Sequence, residues 1–260
     1  MVGDINNIVI FESLINERLT GTEIYNKTII KKIELHKKSF THKLYSIKSK
    51  NELIEILRYY DYNSKLINGG LLFHFEMHGA NDHSGLILSS GELIEWKELA
   101  DLFRPINISI CNKLFLTMAT CYGRHLYKGA VSNQKTPYSG YISANNAVYP
   151  SEIVEKFTIL FEQLIENGNL ITAYLEMEKT ESNFYYKDTK TTFEENFKSV
   201  VEKLTNDKEY KLNYIEGVKN QANKEGQPLP DEETLELIFQ QALKDTYYKH
   251  KEAFEFTNCE

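Results

Sequence analysis

Residues 70–77, GLLFHFEM, and residues 114–119, LFLTMA, are the two stretches that decide the fold. Each is a short apolar run bounded by polar or turn residues, which is typical of a strand buried on both faces of a sheet. Shorter runs at 8–12, 40–47 and 141–144 predict three further strands. Residues 86–88 and 93–94 flank the turn sequence SSGE and predict a hairpin.

Helical patterns lie between these strands. Apolar residues recur at helical spacing over 23–35 and 153–165, and Gly168 is a typical helix stop. Ser49 and Glu52 form a capping box in front of an apolar stretch. Residues 96–103 predict a helix that ends before Pro105. This alternation predicts an α/β fold with a mostly parallel sheet covered on both faces.

The strand signal disappears beyond about residue 180, and helical patterns continue to the end of the sequence. Residues 193–204 and 231–243 each place apolar side chains at helical spacing, with a break at 226–230 between them. We therefore expect a sheet domain over 1–180 and a C-terminal helical extension over 181–260.

Composition and charge narrow the class of protein. The net charge of −7 argues against nucleic acid as a direct partner. No apolar run approaches the ~20 residues that span a bilayer, and no signal peptide is recognisable at the start, so we expect a cytoplasmic protein without membrane association. Three cysteines at 111, 121 and 259 are too few for a disulfide framework, and we expect Cys111 and Cys259 to be buried or inert.

Two strand ends carry reactive residues. The strand at 70–77 leads into His78 and Gly79, and the strand at 114–119 leads into Cys121. Functional groups of an open parallel sheet gather at the carboxyl ends of its strands, so neighbouring strands would bring His78 and Cys121 together. A thiolate is a nucleophile that an imidazole can assist, and the backbone N–H groups of Gly79 and Cys121 could stabilise a developing oxyanion.

These residues resemble a known family. The stretches LLFHFEMHGANDHSGLILSSGELIEWKELADLF at 71–103 and LFLTMATCYG at 114–123 are similar to the CHAT branch of the caspase-like cysteine peptidases. In that branch an apolar strand ends in His-Gly, a Ser-Gly-Leu-x-Leu hairpin follows, and a later strand ends in Ala-x-Cys or Ser-Ala-Cys. Residues 139–177 resemble the closing strand and helices of the family, so the resemblance covers roughly 70–178.

The resemblance implies a caspase-like three-layer sandwich with His78 as acid and base, Cys121 as nucleophile, and neither metal nor organic cofactor. It also implies a specific protein substrate, an activating protein partner, and a place in a bacterial stress or antiviral defence pathway. Relatives that cut after Arg or Lys often carry Asp two residues before the cysteine, where this chain has Ala119. Cleavage after an uncharged residue is therefore expected, with Asp82 and Glu92 as alternative pocket carboxylates.

Three alternatives stay open at this stage. His74, Glu76 and His78 alternate along one strand and so share a face, which could suit a metal ion, although the two histidines would lie about 13 Å apart. His83 and His125 lie close to the motifs and could be mistaken for the acid–base residue. The chain could also be a catalytically silent caspase-like module that binds or regulates a partner.

Overall fold

The first part of the chain folds around a mixed sheet. The computed structural model describes residues 2–131 and 134–256. The strands run in the order β2-β1-β3-β6-β7-β8, and the short hairpin β4–β5 pairs with the end of β3. All neighbours in this order are parallel except β7 and β8, which are antiparallel. The strands are β1 Asn7–Ser13, β2 Thr41–Ser46, β3 Leu71–Gly79, β4 Gly85–Ile87, β5 Leu93–Glu95, β6 Leu114–Met118, β7 Gly140–Ala144 and β8 Phe184–Asp188.

Helices cover both faces of this sheet, as the alternating pattern predicts. The helices of the sheet unit are α1 Thr20–Ile24, α2 Ile30–His36, α3 Lys50–Tyr62, α4 Trp96–Ser109, α5 Pro150–Asn167 and α6 Leu170–Glu178. Further along the chain follow α7 Thr189–Asn206, α8 Lys208–Lys224 and α9 Glu232–Lys251. A π-helical turn, Tyr25–Ile29, joins α1 to α2 without a break. Short 3₁₀ helices occur at Ser64–Leu66, Gly123–Gly129 and Glu252–Phe254.

Two apolar clusters lie on opposite faces of the sheet and make three layers. One face packs against α3 and α4 through side chains such as Phe73 and Phe103. The other face packs against α1, α5 and α6 through side chains such as Leu72, Phe157 and Phe161. The predicted α/β class with a mostly parallel sheet is confirmed. It follows that only the ends of the central strands β3 and β6 reach solvent.

Local signals in the sequence set several of the element ends. The hydroxyl of Ser49 accepts a hydrogen bond of 3.3 Å from the Glu52 N–H at the start of α3. Gly168 ends α5 in the left-handed conformation with φ of 76°, which a residue without Cβ adopts at little cost. The Glu52 carboxylate accepts from the Lys48 N–H instead of the Ser49 N–H, so the capping box is confirmed only in its Ser49 half. The helix stop at Gly168 is confirmed.

Pro105 does not end α4, which corrects the sequence prediction. The helix continues to Ser109 although a proline inside a helix costs about 3 kcal/mol. Phe103 and Ile106 flank the proline and are fully buried against the sheet, and burial of each contributes roughly 1.5–3 kcal/mol. The Asn107 side chain also donates to the Thr136 carbonyl oxygen at 2.9 Å. Tertiary packing thus outweighs the local preference.

The strand signal does not disappear at residue 180, which is a second correction. Residues 184–188, FYYKD, form β8 and pair antiparallel with β7 from Ala144↔Phe184 to Gly140↔Asp188. Three successive aromatic residues favour a strand, but the segment is too short to show clear alternation. The chain divides after Thr189, so the sheet unit extends past the boundary expected after residue 180.

The second unit, Lys190–Glu255, is helical as predicted. Leu235 and Phe239 on α9 are buried, and the Phe239 ring lies 5.2 Å from that of Tyr214 on α8. Phe193 and Phe197 on α7 contact the Tyr247 ring on α9. Among the residues that the structure describes, no helix is both long and apolar enough to cross a bilayer.

Candidate active site

The carboxyl ends of β3 and β6 lie side by side. The two strands are direct neighbours, and their last paired residues are Phe75 and Met118. Beyond that pair the Ala119 N–H still donates to the Phe75 carbonyl oxygen at 2.9 Å. The two strands are neighbours, as the pairing of His78 and Cys121 requires. The strand expected over 70–77 extends to Gly79, so His78 lies within the end of β3, whereas Cys121 lies just beyond β6 at the same edge.

Gly79 and Cys121 touch through their backbones. A Cβ atom built on Gly79 would lie 1.8 Å from the carbonyl oxygen of Cys121 and 2.9 Å from its carbonyl carbon. No side chain fits in that space, so only glycine allows the two strand ends to approach so closely. This contact puts the residue that follows His78 directly against the cysteine backbone.

His78 and Cys121 also lie on one face of the sheet. Alternation along β3 puts His78 on the face that carries His74 and Glu76, which is the face covered by α1 and α5. The Cys121 thiol lies beside Val148, whose side chain packs on the apolar cluster of that same face.

The imidazole of His78 is held by a carboxylate that sequence reasoning missed. Its Nε2 lies 3.0 Å from Oε1 of Glu17, in the loop between β1 and α1. Both side chains are about half exposed, at 50% and 47%. The two residues are 61 positions apart in the chain, and no local motif marks Glu17.

The thiol of Cys121 is half-buried and is the free thiol among the described cysteines. The Val148 N–H donates to its Sγ at 3.5 Å. Among the hydrogen bonds of the described residues, none joins His78 to Cys121; such bonds often form only with substrate bound. Cys111 is disulfide-bonded, which corrects its expected role as an inert buried thiol, and Cys259 lies outside the described residues.

The backbone N–H groups expected to donate to an oxyanion are those of Gly79 and Cys121. The Ala80 N–H donates to the Gly85 carbonyl oxygen at 3.0 Å, and Gly79 is paired with Leu86 in the same antiparallel ladder. Hydrogen-bonded and non-hydrogen-bonded pairs alternate in such a ladder, so the Gly79 N–H points away from β4. Among the described residues no acceptor takes the Cys121 N–H, so this amide is available to an incoming oxygen.

A cavity of about 570 Å³ opens beside His78 at the end of β3. Its lining residues are His78, Gly79, Ala80, Asn81, Asp82, Ser84, Ile87 and Leu93. Asp82 accepts from both the N–H and the hydroxyl of Ser84, and these bonds lower the pKa of its carboxyl group. This aspartate is therefore ionised at neutral pH, and its hydrogen bonds to Ser84 stabilise the loop between β3 and β4.

The other two pocket candidates lie elsewhere. Ala119 is buried in the apolar cluster under α5 and does not line the cavity. Glu92 sits at the tip of the β4–β5 hairpin, where its carboxylate accepts from the Ser90 hydroxyl and the Lys50 N–H. Of the three, the structure brings only Asp82 to the cavity.

His74 and Glu76 belong to a buried polar network. The Nδ1 atom of His74 lies 2.7 Å from the Thr117 hydroxyl, and its Nε2 lies 2.8 Å from Glu76. His74 is fully buried among aromatic side chains of α5. Within the described residues no three histidine, cysteine, aspartate or glutamate side chains are arranged to hold a metal ion.

His83 and His125 pair with each other. Their rings stack with centroids 4.3 Å apart, and the Tyr122 ring lies against His83. Burial, followed by nearby positive charges, lowers the pKa of His125. The two rings form part of the loop packing beside Cys121, and hydrogen bonds join neither ring to the thiol among the described residues.

A scan against protein-family models finds no match, and a search of curated proteins finds no significant match. The resemblance to caspase-like peptidases therefore rests on the sequence motifs alone.

Proposed function

We propose that this protein is a cysteine endopeptidase with His78 and Cys121 as its catalytic dyad. The observation that supports the proposal is the backbone contact between Gly79, the residue after His78, and Cys121 at the carboxyl edge of β3 and β6. The Cys121 N–H, which no described group accepts, supports the same reaction as a donor to the oxyanion. The resemblance to the CHAT branch supplies the same two residues independently.

In the proposed reaction His78 accepts the thiol proton, and Sγ of Cys121 attacks the carbonyl carbon of the scissile peptide bond. The resulting oxyanion accepts hydrogen bonds from the amides of Gly79 and Cys121. His78 then gives its proton to the departing amine as the carbon–nitrogen bond breaks, leaving a thioester. Water, deprotonated by His78, attacks the thioester, and the carboxylic product and the thiol are released.

The cavity beside His78 supports cleavage after an uncharged residue. Ile87 and Leu93 give it apolar walls, and one carboxylate oxygen of Asp82 is already engaged by Ser84. The resemblance extends the proposal to one specific protein target and an activating protein partner in a bacterial stress or antiviral pathway, in the cytoplasm. A profile restricted to Lys or Arg before the cut, measured on a peptide library, would reject this preference.

The test is covalent labelling of the full chain. A peptidyl acyloxymethyl ketone with leucine at its reactive end should modify Cys121 in the native protein, with the site read by mass spectrometry. Cys121→Ala should abolish labelling, and His78→Ala should slow it at least a hundredfold, in line with the contribution of general acid–base catalysis. His125→Ala is the matched control, since it removes a nearby histidine outside the dyad and should leave labelling unchanged. Labelling that persists at the normal rate in His78→Ala would contradict the proposal.

A second candidate function is a catalytically silent caspase-like module that binds or regulates a partner. The observation that favours it is that each member of the dyad contacts a different group, Glu17 for His78 and Val148 for Cys121. This candidate predicts that the probe modifies native Cys121 no faster than it modifies the same residue in urea-unfolded protein. A native rate well above the unfolded rate rejects it.

A further inference from the structure

The contact between Glu17 and His78 depends on a short loop that is fixed at both ends. Residues 14–19 connect β1 to α1, and the side chains of Ile15, Glu17 and Leu19 are exposed. Glu17 nevertheless reaches Nε2 of His78 at 3.0 Å. An exposed ion pair by itself contributes only about 0–1 kcal/mol, so its importance depends on whether the loop holds it in place.

The first end of the loop is fixed by Ser13, the last residue of β1. Its hydroxyl donates to the Ile47 carbonyl oxygen at 2.7 Å and accepts from the Ser89 N–H at 2.9 Å. Ser13 is buried, so water does not compete for these bonds. The chain therefore leaves the sheet at a defined point.

The second end is fixed by two buried carboxylates. Glu12 on β1 and Glu76 on β3 are paired across the strands and are each 1% exposed. The Thr20 hydroxyl donates to Glu76 at 2.7 Å, and the N–H and hydroxyl of Thr22 donate to Glu12 at 2.9 Å and 2.5 Å. These hydrogen bonds fix the first turn of α1 to β1 and β3.

We propose that Glu17 is the positioning residue of the dyad. Its carboxylate accepts the Nε2–H of His78, which selects one tautomer and leaves Nδ1 without a proton. Among the described residues Nδ1 of His78 has no partner, so it is the nitrogen available to the thiol. The carboxylate also stabilises the imidazolium that forms when the thiol proton is taken up.

This inference rests on the proposed peptidase function, and its test has one readout that does not require activity. In the full chain labelled with ¹⁵N-histidine, at a pH where His78 is neutral, the imidazole nitrogen shifts should report protonated Nε2 and unprotonated Nδ1. Glu17→Ala should give the averaged shifts of mixed tautomers. Protonated Nδ1 in the wild type, or identical shifts in the two proteins, would overturn the assignment whether or not the protein cleaves anything.

The second readout is the rate at which the leucine acyloxymethyl ketone modifies Cys121. Glu17→Ala should lower the saturating rate roughly tenfold to a hundredfold with little change in the half-saturating concentration. Glu17→Asp, which can restore the carboxylate through a small loop shift, should recover part of that loss. Glu23→Gln is the matched control, because Glu23 is a neighbouring acid on α1 that binds Arg18 and Lys27 instead. An unchanged or faster rate in Glu17→Ala contradicts a positioning role.

Discussion

Replacing Gly79 with alanine should separate the two strand ends that make up the candidate site. The added Cβ would lie 1.8 Å from the Cys121 carbonyl oxygen, a distance that real Cβ contacts do not reach. Either backbone must retreat by on the order of 1 Å to restore ordinary van der Waals contact. The neighbouring atom is a main-chain oxygen, so no side-chain rotation relieves the clash.

We expect two measurable consequences. Overpacking of this kind costs about 1–3 kcal/mol of unfolding free energy, which urea denaturation would report as a lower midpoint. A displacement of this size between His78 and Cys121 should also slow labelling of Cys121 by the ketone probe roughly a hundredfold. The labelling rate is to be compared at a temperature where both proteins are fully folded.

Gly70→Ala is the matched control for the first effect. It adds a Cβ that would lie 2.0 Å from the carbonyl oxygen of Asp4, at the opposite end of the same strand. Its stability should fall by a similar amount while Cys121 keeps its normal reactivity. Wild-type stability and reactivity in Gly79→Ala would refute the reasoning, as would equal losses of reactivity in both variants.

Three further predictions concern the surrounding fold. Pro105→Ala should raise the unfolding free energy by about 1 kcal/mol or more, because alanine supplies the backbone N–H that proline lacks inside α4. A lower midpoint in urea denaturation would contradict this. Burial raises the pKa of Tyr141 to about 12, so its contribution to stability is full below pH 10 and is lost as the pH rises toward 12. At pH 8, Tyr141→Phe should lower the unfolding free energy by about 1 kcal/mol, because the hydrogen bond to the Arg124 carbonyl oxygen is lost. Between pH 10 and 12 the variant should lose less unfolding free energy than the wild type, as measured by urea denaturation at each pH. Glu12→Gln should lower the unfolding free energy by about 1–3 kcal/mol, because one of the two oxygens that accept hydrogen bonds from Thr22 becomes an amide NH2 group. An unchanged midpoint in urea denaturation would contradict this.

Much of the fold follows from patterns that are local in the sequence. The apolar runs that become β3 and β6 need burial on both faces, and only a central position in a layered sheet provides it. Ser49 and Gly168 fix helix ends by hydrogen bonding and backbone conformation that neighbouring residues determine. His78 and Cys121 could be assigned to one edge of the sheet because each lies at or just beyond the carboxyl end of one of those strands.

The features that sequence reasoning missed depend on partners far away in the chain. Strand β8 forms because β7 offers it an open edge, and five residues carry too little alternation to indicate that. The continuation of α4 through Pro105 depends on burial against the sheet. No local motif marks Glu17, because its partner is a histidine 61 residues away in the chain.

The π-helical turn at Tyr25–Ile29 limits how this region can change in evolution. A π turn holds one residue more than an α-helix would at the same place. Deleting a single residue there would restore regular helical spacing but rotate the preceding turn by about 100°. Thr20 would then face away from Glu76, and its hydroxyl would lose that carboxylate. Substitutions should therefore be tolerated along the outer surface of this helix, whereas variants that alter its length should be rare among functional homologues.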